Sequence, residues 1–306
     1  MLDQLNIKKL NESHFLIIFS ILVTGFLAML GQIITQNPLW LFICSLAGFI
    51  SYLLMSLVGL IYKEQKLYVA FCAGALPSII YALTVSDSIM VWVGHVVTIL
   101  GVFILARSLV VYNSWRYGFE LLVIIGCCLV VGIHVVMPEL PTIWAKMLLP
   151  YIEQINASPE QIEIIKQVLP SRYTGISIFF NFILFPMFYV NCVKVLLQKI
   201  DKEALNKTIS GVNFSKTLTF SLIFLSLINI WLKINFLIDL QIIWFMGCVI
   251  VGLSFVHDFL KKSERKYIIL FVFYLAVFLL GNILMPILTV LGILDSGFNL
   301  RKRFVN

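Results

Sequence analysis

Near the carboxyl end of the chain, the acid Asp295 precedes the basic cluster Arg301, Lys302 and Arg303 by about a turn and a half of helix. That spacing lets a carboxylate and a guanidinium meet near a membrane surface. Two roles are open for Asp295 with Arg301 or Arg303: contact with a substrate or partner, or a helix-end ion pair that anchors the tail among lipid headgroups. His257 and Asp258 stand beside a second basic stretch, Lys261 to Lys266. They read either as a solvated helix end or as His257 packed against the last apolar segment. The polar residues Asn181, Asn191, Asn229 and Asn282 lie inside apolar runs, where they could line a cavity or hydrogen-bond between helices. An uncompensated charge at the centre of a bilayer costs at least ~2.5–3.5 kcal/mol, so such groups are expected to have partners.

Other chemistries find little support. His95 and His134 fall near opposite surfaces in the topology below and no helical i, i+4 ligand pair exists, so no metal is expected. The six cysteines sit in apolar runs without a C-x-x-C pair and read as small buried hydrophobes. Phosphate-binding loops, nucleophile elbows and zinc-protease motifs are absent. The expectation is therefore a protein without catalytic residues or cofactors, and any energy-coupling ATPase module would be a separate chain.

The elements that must position these groups follow from composition. With 61% hydrophobic and 12% charged residues, and a mean hydropathy of +1.02, the chain departs far from soluble domains. Its partner is the lipid bilayer. The apolar runs are continuous instead of alternating, which predicts helices and not a barrel. The net charge of +7 belongs mainly to short loops and fits membrane orientation better than nucleic-acid binding.

Eight full spans are predicted, over 15–36, 39–62, 67–85, 89–112, 119–137, 175–197, 217–232 and 237–260. The first lacks a cleavage site and is read as retained. Lys8 and Lys9, the 63–66 loop and the Arg107/Arg116 region are basic, while the turns at 37–38 and 86–88 carry no Lys or Arg. The amino terminus is accordingly predicted to be cytoplasmic, in a bacterial inner membrane. Residues 199–216 and 261–266 fall on the same side, and Lys233 can snorkel at the outer end of the seventh span.

One connection is long. Residues 139–171 are mildly acidic and extracytoplasmic by alternation. They predict two short amphipathic helices. In the first, Trp144, Leu148, Tyr151 and Ile155 recur at helical spacing, with a kink at Pro150. The second opens on Ser158, Pro159, Glu160 and Gln161 as a capping box, and Ile162, Ile165 and Leu169 line one face. A lid over a cavity and a helix pair lying on the interface are both open for this connection.

The last apolar stretch, Tyr267 to Leu294, is too long for one perpendicular crossing, and Gly281, Asn282 and Pro286 interrupt it. A broken segment that returns is favoured over one straight crossing, because it keeps Arg301 to Arg303 cytoplasmic. Pro186 interrupts the sixth span in a similar way. Interrupted helices free backbone groups for a ligand, so Asn181, Pro186, Asn282 and Pro286 are the candidate ligand-binding residues.

The pattern Gly292, Asp295, Phe298, Arg301, Lys302 and Arg303, with Gly252 and His257 upstream, resembles the end of the YybS-like family of predicted bacterial membrane proteins. Residues 149–170 are similar to that family's central connection. The resemblance covers 138–303, and the first half matches only in hydropathy. It departs at Gly297, where relatives carry a bulkier residue. The family is functionally uncharacterised and looks distantly related to the substrate-binding membrane components of energy-coupling-factor transporters. The expectation is a single all-α membrane domain over 1–306 that binds or transports a small solute. The alternative is a structural or regulatory scaffold binding another membrane protein or anionic lipid.

Overall fold

The computed structural model describes residues 14–33, 38–61, 64–84, 89–154, 158–200, 211–232, 234–260, 263 and 265–304. Lys8 and Lys9, the turn at Asn37, Lys63, residues 86–88, Ile155, residues 201–210, Lys233, Lys261 and Lys262 lie outside the described residues.

Among the described residues there is no strand. In chain order the helices are α1 (His14–Ile33), α2 (Pro38–Ile61), α3 (Glu64–Thr84), α4 (Ile89–Tyr112) and α5 (Trp115–Val136). Next come α6 (Leu140–Ile152), α7 (Pro159–Val168), α8 (Tyr173–Ile178), a π-helical turn (Phe179–Leu184) and α9 (Phe185–Ile200). The chain closes with α10 (Lys216–Leu232), α11 (Asn235–Leu260), α12 (Lys266–Leu279), α13 (Gly281–Phe298) and α14 (Leu300–Phe304).

Among the described residues six helices are long and apolar enough to cross a bilayer: Phe42–Ile61, Val93–Tyr112, Trp115–Val136, Tyr173–Gln198, Phe236–Leu260 and Gly281–Phe298. Four shorter apolar helices join them, His14–Met29, Tyr68–Ile80, Lys216–Leu232 and Tyr267–Leu279. The protein is thus a helical, multi-pass membrane protein. Five of the eight expected spans are among the long helices, and the first, third and seventh are among the shorter ones. The sixth long helix is the second half of the broken carboxyl-terminal segment.

The chain divides into two compact units, unit 1 from Met1–Gly118 and Phe180–Lys207, and unit 2 from Phe119–Phe179 and Thr208–Asn306. In unit 1, α2 packs on α1, α4 and α9. Small residues set the close approaches. A Cβ at Gly59 would stand 2.6 Å from Ala106 Cβ, and one at Gly25 would stand 3.0 Å from Pro77 Cγ. Pro77 lies inside α3 without ending it, and its ring packs on Gly25. Pro186 acts more strongly. Having no N–H, it cannot bond the Phe182 carbonyl four residues back, and the ladder shifts to a π turn just ahead of it.

In unit 2, α11 packs against α8, α10 and α13. Its seam with α13 runs over two glycines. A Cβ at Gly252 would overlap the Leu288 carbonyl, and one at Gly292 would overlap the Cys248 carbonyl, so the two backbones touch through these positions. Beside them Phe119 stacks on Phe214 at 5.0 Å, over Gly247. In the 139–171 connection, α7 starts with the expected capping box, Ser158 accepting from the Gln161 N–H and the Gln161 side chain accepting from the Ser158 N–H. In α6 the buried residues are Leu140, Trp144 and Ile152, whereas Tyr151 is 70% exposed. Pro150 removes the N–H that would tie the last turn to Lys146, and Ile152 takes the inward place instead.

The carboxyl-terminal segment is broken, at Leu280 (φ −114°, ψ 29°), between α12 and α13. Pro286 lies within α13 and does not end it. Helix α13 therefore runs from Gly281 to Phe298, four residues beyond the apolar stretch. Asn299 then takes the left-handed conformation, φ 58°, and turns the chain into α14.

Candidate functional site

The turn at Asn299 decides which base meets Asp295. It folds α14 back so that the Arg301 N–H donates to Asp295 Oδ1 at 3.1 Å and the Arg301 Nε–H donates to Asp295 Oδ2 at 2.8 Å. Arg303 is exposed. The rest of the guanidinium reaches other elements. Nη1 donates to Asp258 Oδ2 at 3.0 Å, and Nη2 donates to the carbonyls of Val212 at 2.7 Å and Val251 at 3.4 Å. Asp295 is 0% and Arg301 9% exposed. One arginine thus ties the end of α13 to α11 and to the segment leading into α10. Ser296 adds a second tie, its hydroxyl accepting from the Phe214 N–H at 3.2 Å.

Because its donors are taken up inside unit 2, Arg301 serves as an anchor and offers little to a solute. Protein surrounds the pair on all sides. Asp258 is likewise buried, which replaces the solvated helix end considered above. His257, its neighbour, meets Tyr274 of α12, Nδ1 and hydroxyl 3.0 Å apart, and so packs against the last segment. Gly292 supplies the backbone approach between α11 and α13 that brings Asp258 within reach.

Unit 1 holds a different polar cluster. Asn181 rides on the π-helical turn next to Gly94, whose added Cβ would stand 3.9 Å from the Asn181 amide. The following residue, His95, is 4% exposed. Its Nδ1 lies 2.5 Å from the Tyr52 hydroxyl, while Nε2 has no hydrogen-bond partner. Tyr189 of α9 lies 4.9 Å from the Tyr52 ring, and Ser78 Oγ is buried and unpartnered in the same unit. Pro186 packs on Gly101, where an added Cβ would stand 2.7 Å from Pro186 Cγ and 2.5 Å from the Phe182 carbonyl. Asn282 and Pro286 belong to unit 2 and are exposed on α13. Asn229 takes the interhelical role, donating to Gln241 Oε1 at 3.0 Å and accepting from the Ile234 N–H at 3.2 Å.

One buried pair went unnoticed in the sequence. His134 Nε2 and Asp239 Oδ2 are 2.7 Å apart, and Asp239 Oδ1 accepts from the Gly175 N–H at 2.7 Å. The signal was present: Asp239 is the lone acid near the start of the long apolar run of α11, and an acid in such a run calls for a partner. Close by in the chain, Trp144 donates its indole N–H to Thr174 at 3.0 Å.

No family model matches the chain, and no match was found among curated proteins or solved structures. The resemblance to the YybS-like family rests on the motif residues quoted for it.

Proposed function

We propose that this membrane protein binds or transports a small solute, in the manner of the substrate-binding membrane component of a transporter. The observation that supports it is the cluster in unit 1. There a helix interrupted at Phe179–Leu184 carries Asn181 beside Gly94, and the next residue, His95, keeps Nε2 unpartnered in an apolar interior. A π turn and a buried imidazole are both unfavourable among packed apolar helices, and both mark sites where polar cargo is handled. Asn181 and Pro186 would shape the seat, and Tyr52, His95 and Tyr189 would supply its hydrogen bonds and aromatic walls. The likeness to the YybS-like family, and through it to energy-coupling-factor components, points the same way. On this proposal the chain catalyses no reaction, a separate ATPase chain drives transport, and the protein sits in a bacterial inner membrane with its amino terminus in the cytoplasm.

The test is thermal stability of the purified full-length protein against a panel of vitamin-like solutes, with uptake compared in cells that have and lack the protein. A solute that stabilises the wild type but not the Asn181→Ala or His95→Phe variants is the expected result. If no solute shifts the midpoint and uptake is unchanged, the proposal fails. Stable protein neighbours in cells without an uptake defect on deletion would favour the scaffold instead.

A further inference from the structure

Where α4 turns into α5, unit 1 buries an indole N–H without an acceptor and sets a lysine ammonium over the same ring. Lys194 of α9 is 4% exposed, and its Nζ lies 5.4 Å from the centroid of the Trp115 ring. Trp115 opens α5 and is 3% exposed, and its indole N–H has no hydrogen-bond partner. No carboxylate pairs with Lys194 among the described residues.

The chemistry of the missing partner follows from the groups themselves. An ammonium and an indole N–H donate and cannot accept, so what completes them must accept. The positive charge of Lys194 selects an anion. A ring face attracts a cation, but it accepts no strong hydrogen bond. The first turn of α5 adds N–H groups, contains no acid, and carries Arg116 next to Trp115.

Depth narrows the choice further. Trp115 is the first residue of one long apolar helix and Lys194 lies in the last turn or so of another, Tyr173–Gln198. Both therefore belong near the level of lipid phosphates, on the side that the loop charges assign to the cytoplasm.

We propose that this end of unit 1 binds a phosphate group through the Lys194 ammonium and the Trp115 indole N–H. The phosphate comes either from an anionic phospholipid or from a free anion in solution. The site is separate from the Asn181 and His95 cluster and stands whether or not that cluster binds a solute.

The experiment uses the full-length protein in nanodiscs of phosphatidylglycerol or phosphatidylcholine, with retained lipid counted by native mass spectrometry. Inorganic phosphate is added to delipidated protein in a parallel arm that reads thermal stability. Wild type should retain phosphatidylglycerol over phosphatidylcholine. Lys194→Met should cut that retention on the order of tenfold, as expected for a lost charged hydrogen bond, and Trp115→Phe roughly fivefold, since it keeps the ring and loses only the N–H. Stabilisation by inorganic phosphate, reduced in the same variants, identifies a free anion as ligand; selective lipid retention alone identifies the headgroup. If Lys194→Met fails to accumulate, Lys194→Arg should keep the selectivity while Trp115→Phe weakens it. Equal retention of both lipids together with no response to phosphate, or full wild-type behaviour in Trp115→Phe, overturns the proposal.

Discussion

Replacing Arg301 by Met should unfold unit 2 more readily than any change in the exposed tail. The substitution keeps much of the stem volume and removes the guanidinium. Asp295 then loses the Nε–H bond of 2.8 Å, Asp258 loses the Nη1 bond of 3.0 Å, and the Val212 carbonyl loses the Nη2 bond of 2.7 Å. The retained Arg301 N–H still bonds Asp295, but a fully buried carboxylate keeps no cation from this residue. Removing one member of a buried ion pair costs about 3–5 kcal/mol, against about 0–0.5 kcal/mol for an ordinary surface change. Arg301→Lys keeps the charge but lacks the planar fork that reaches Asp295 and Asp258 together, so it should fall between. The assay is unfolding of the reconstituted protein in mixed detergent, with Arg303→Met as the exposed control. A cycle with Asp295→Asn gives the coupling. Equal midpoints for the Arg301→Met and Arg303→Met variants, or additive losses in the cycle, would refute a buried lock at this residue.

Three more outcomes can be measured in the same system. Gly292→Ala should lose about 1–3 kcal/mol, because a Cβ there overlaps the Cys248 carbonyl and must push α13 off α11; an equally stable variant would mean that the seam is loose. Asp239→Leu strands the buried Gly175 N–H and the His134 imidazole, a loss of about 1–3 kcal/mol for the unsatisfied group, read as faster hydrogen exchange at the start of α8; unchanged exchange there would count against the contact. Ser158→Ala removes one half of the capping box, so α7 should lose about 0.5–2 kcal/mol of local stability, seen as faster exchange over 159–168 with α11 unaffected.

What could be read from the sequence was local in character. Continuous apolar runs announce helices in lipid because each crossing must satisfy its own backbone. The capping box at Ser158 and the break near Gly281 involve residues within a turn of one another, so spacing alone reveals them. The Asp295 and Arg301 pair was legible as a possibility for the same reason. Its choice over Arg303 was not, since that depends on the left-handed turn at Asn299, which only the folded chain displays. Pro286 misled because one absent N–H on an exposed face of α13 is tolerated, whereas Pro186 falls where α4 presses Gly101 against the freed Phe182 carbonyl. Asp258 with Arg301, and Asp239 with His134, join residues 43 and 105 positions apart, and no periodicity carries information over such a distance.

These long-range pairs nonetheless follow a rule. The buried acids Asp239, Asp258 and Asp295 each meet a histidine or arginine, and each such contact crosses between helices or over a helix end. In a medium that hydrates nothing, an acid without such a partner would neutralise itself or open the bundle, so complete pairing is what stability alone requires. The Trp115 N–H and His95 Nε2 of unit 1 depart from it, as do the Trp244 N–H and Ser254 Oγ of unit 2, and Lys194 meets only the Trp115 ring. On the two proposals above, an anion would complete the ammonium and indole and a hydrogen-bonding solute the imidazole, while the ties of Arg301 anchor unit 2 from within.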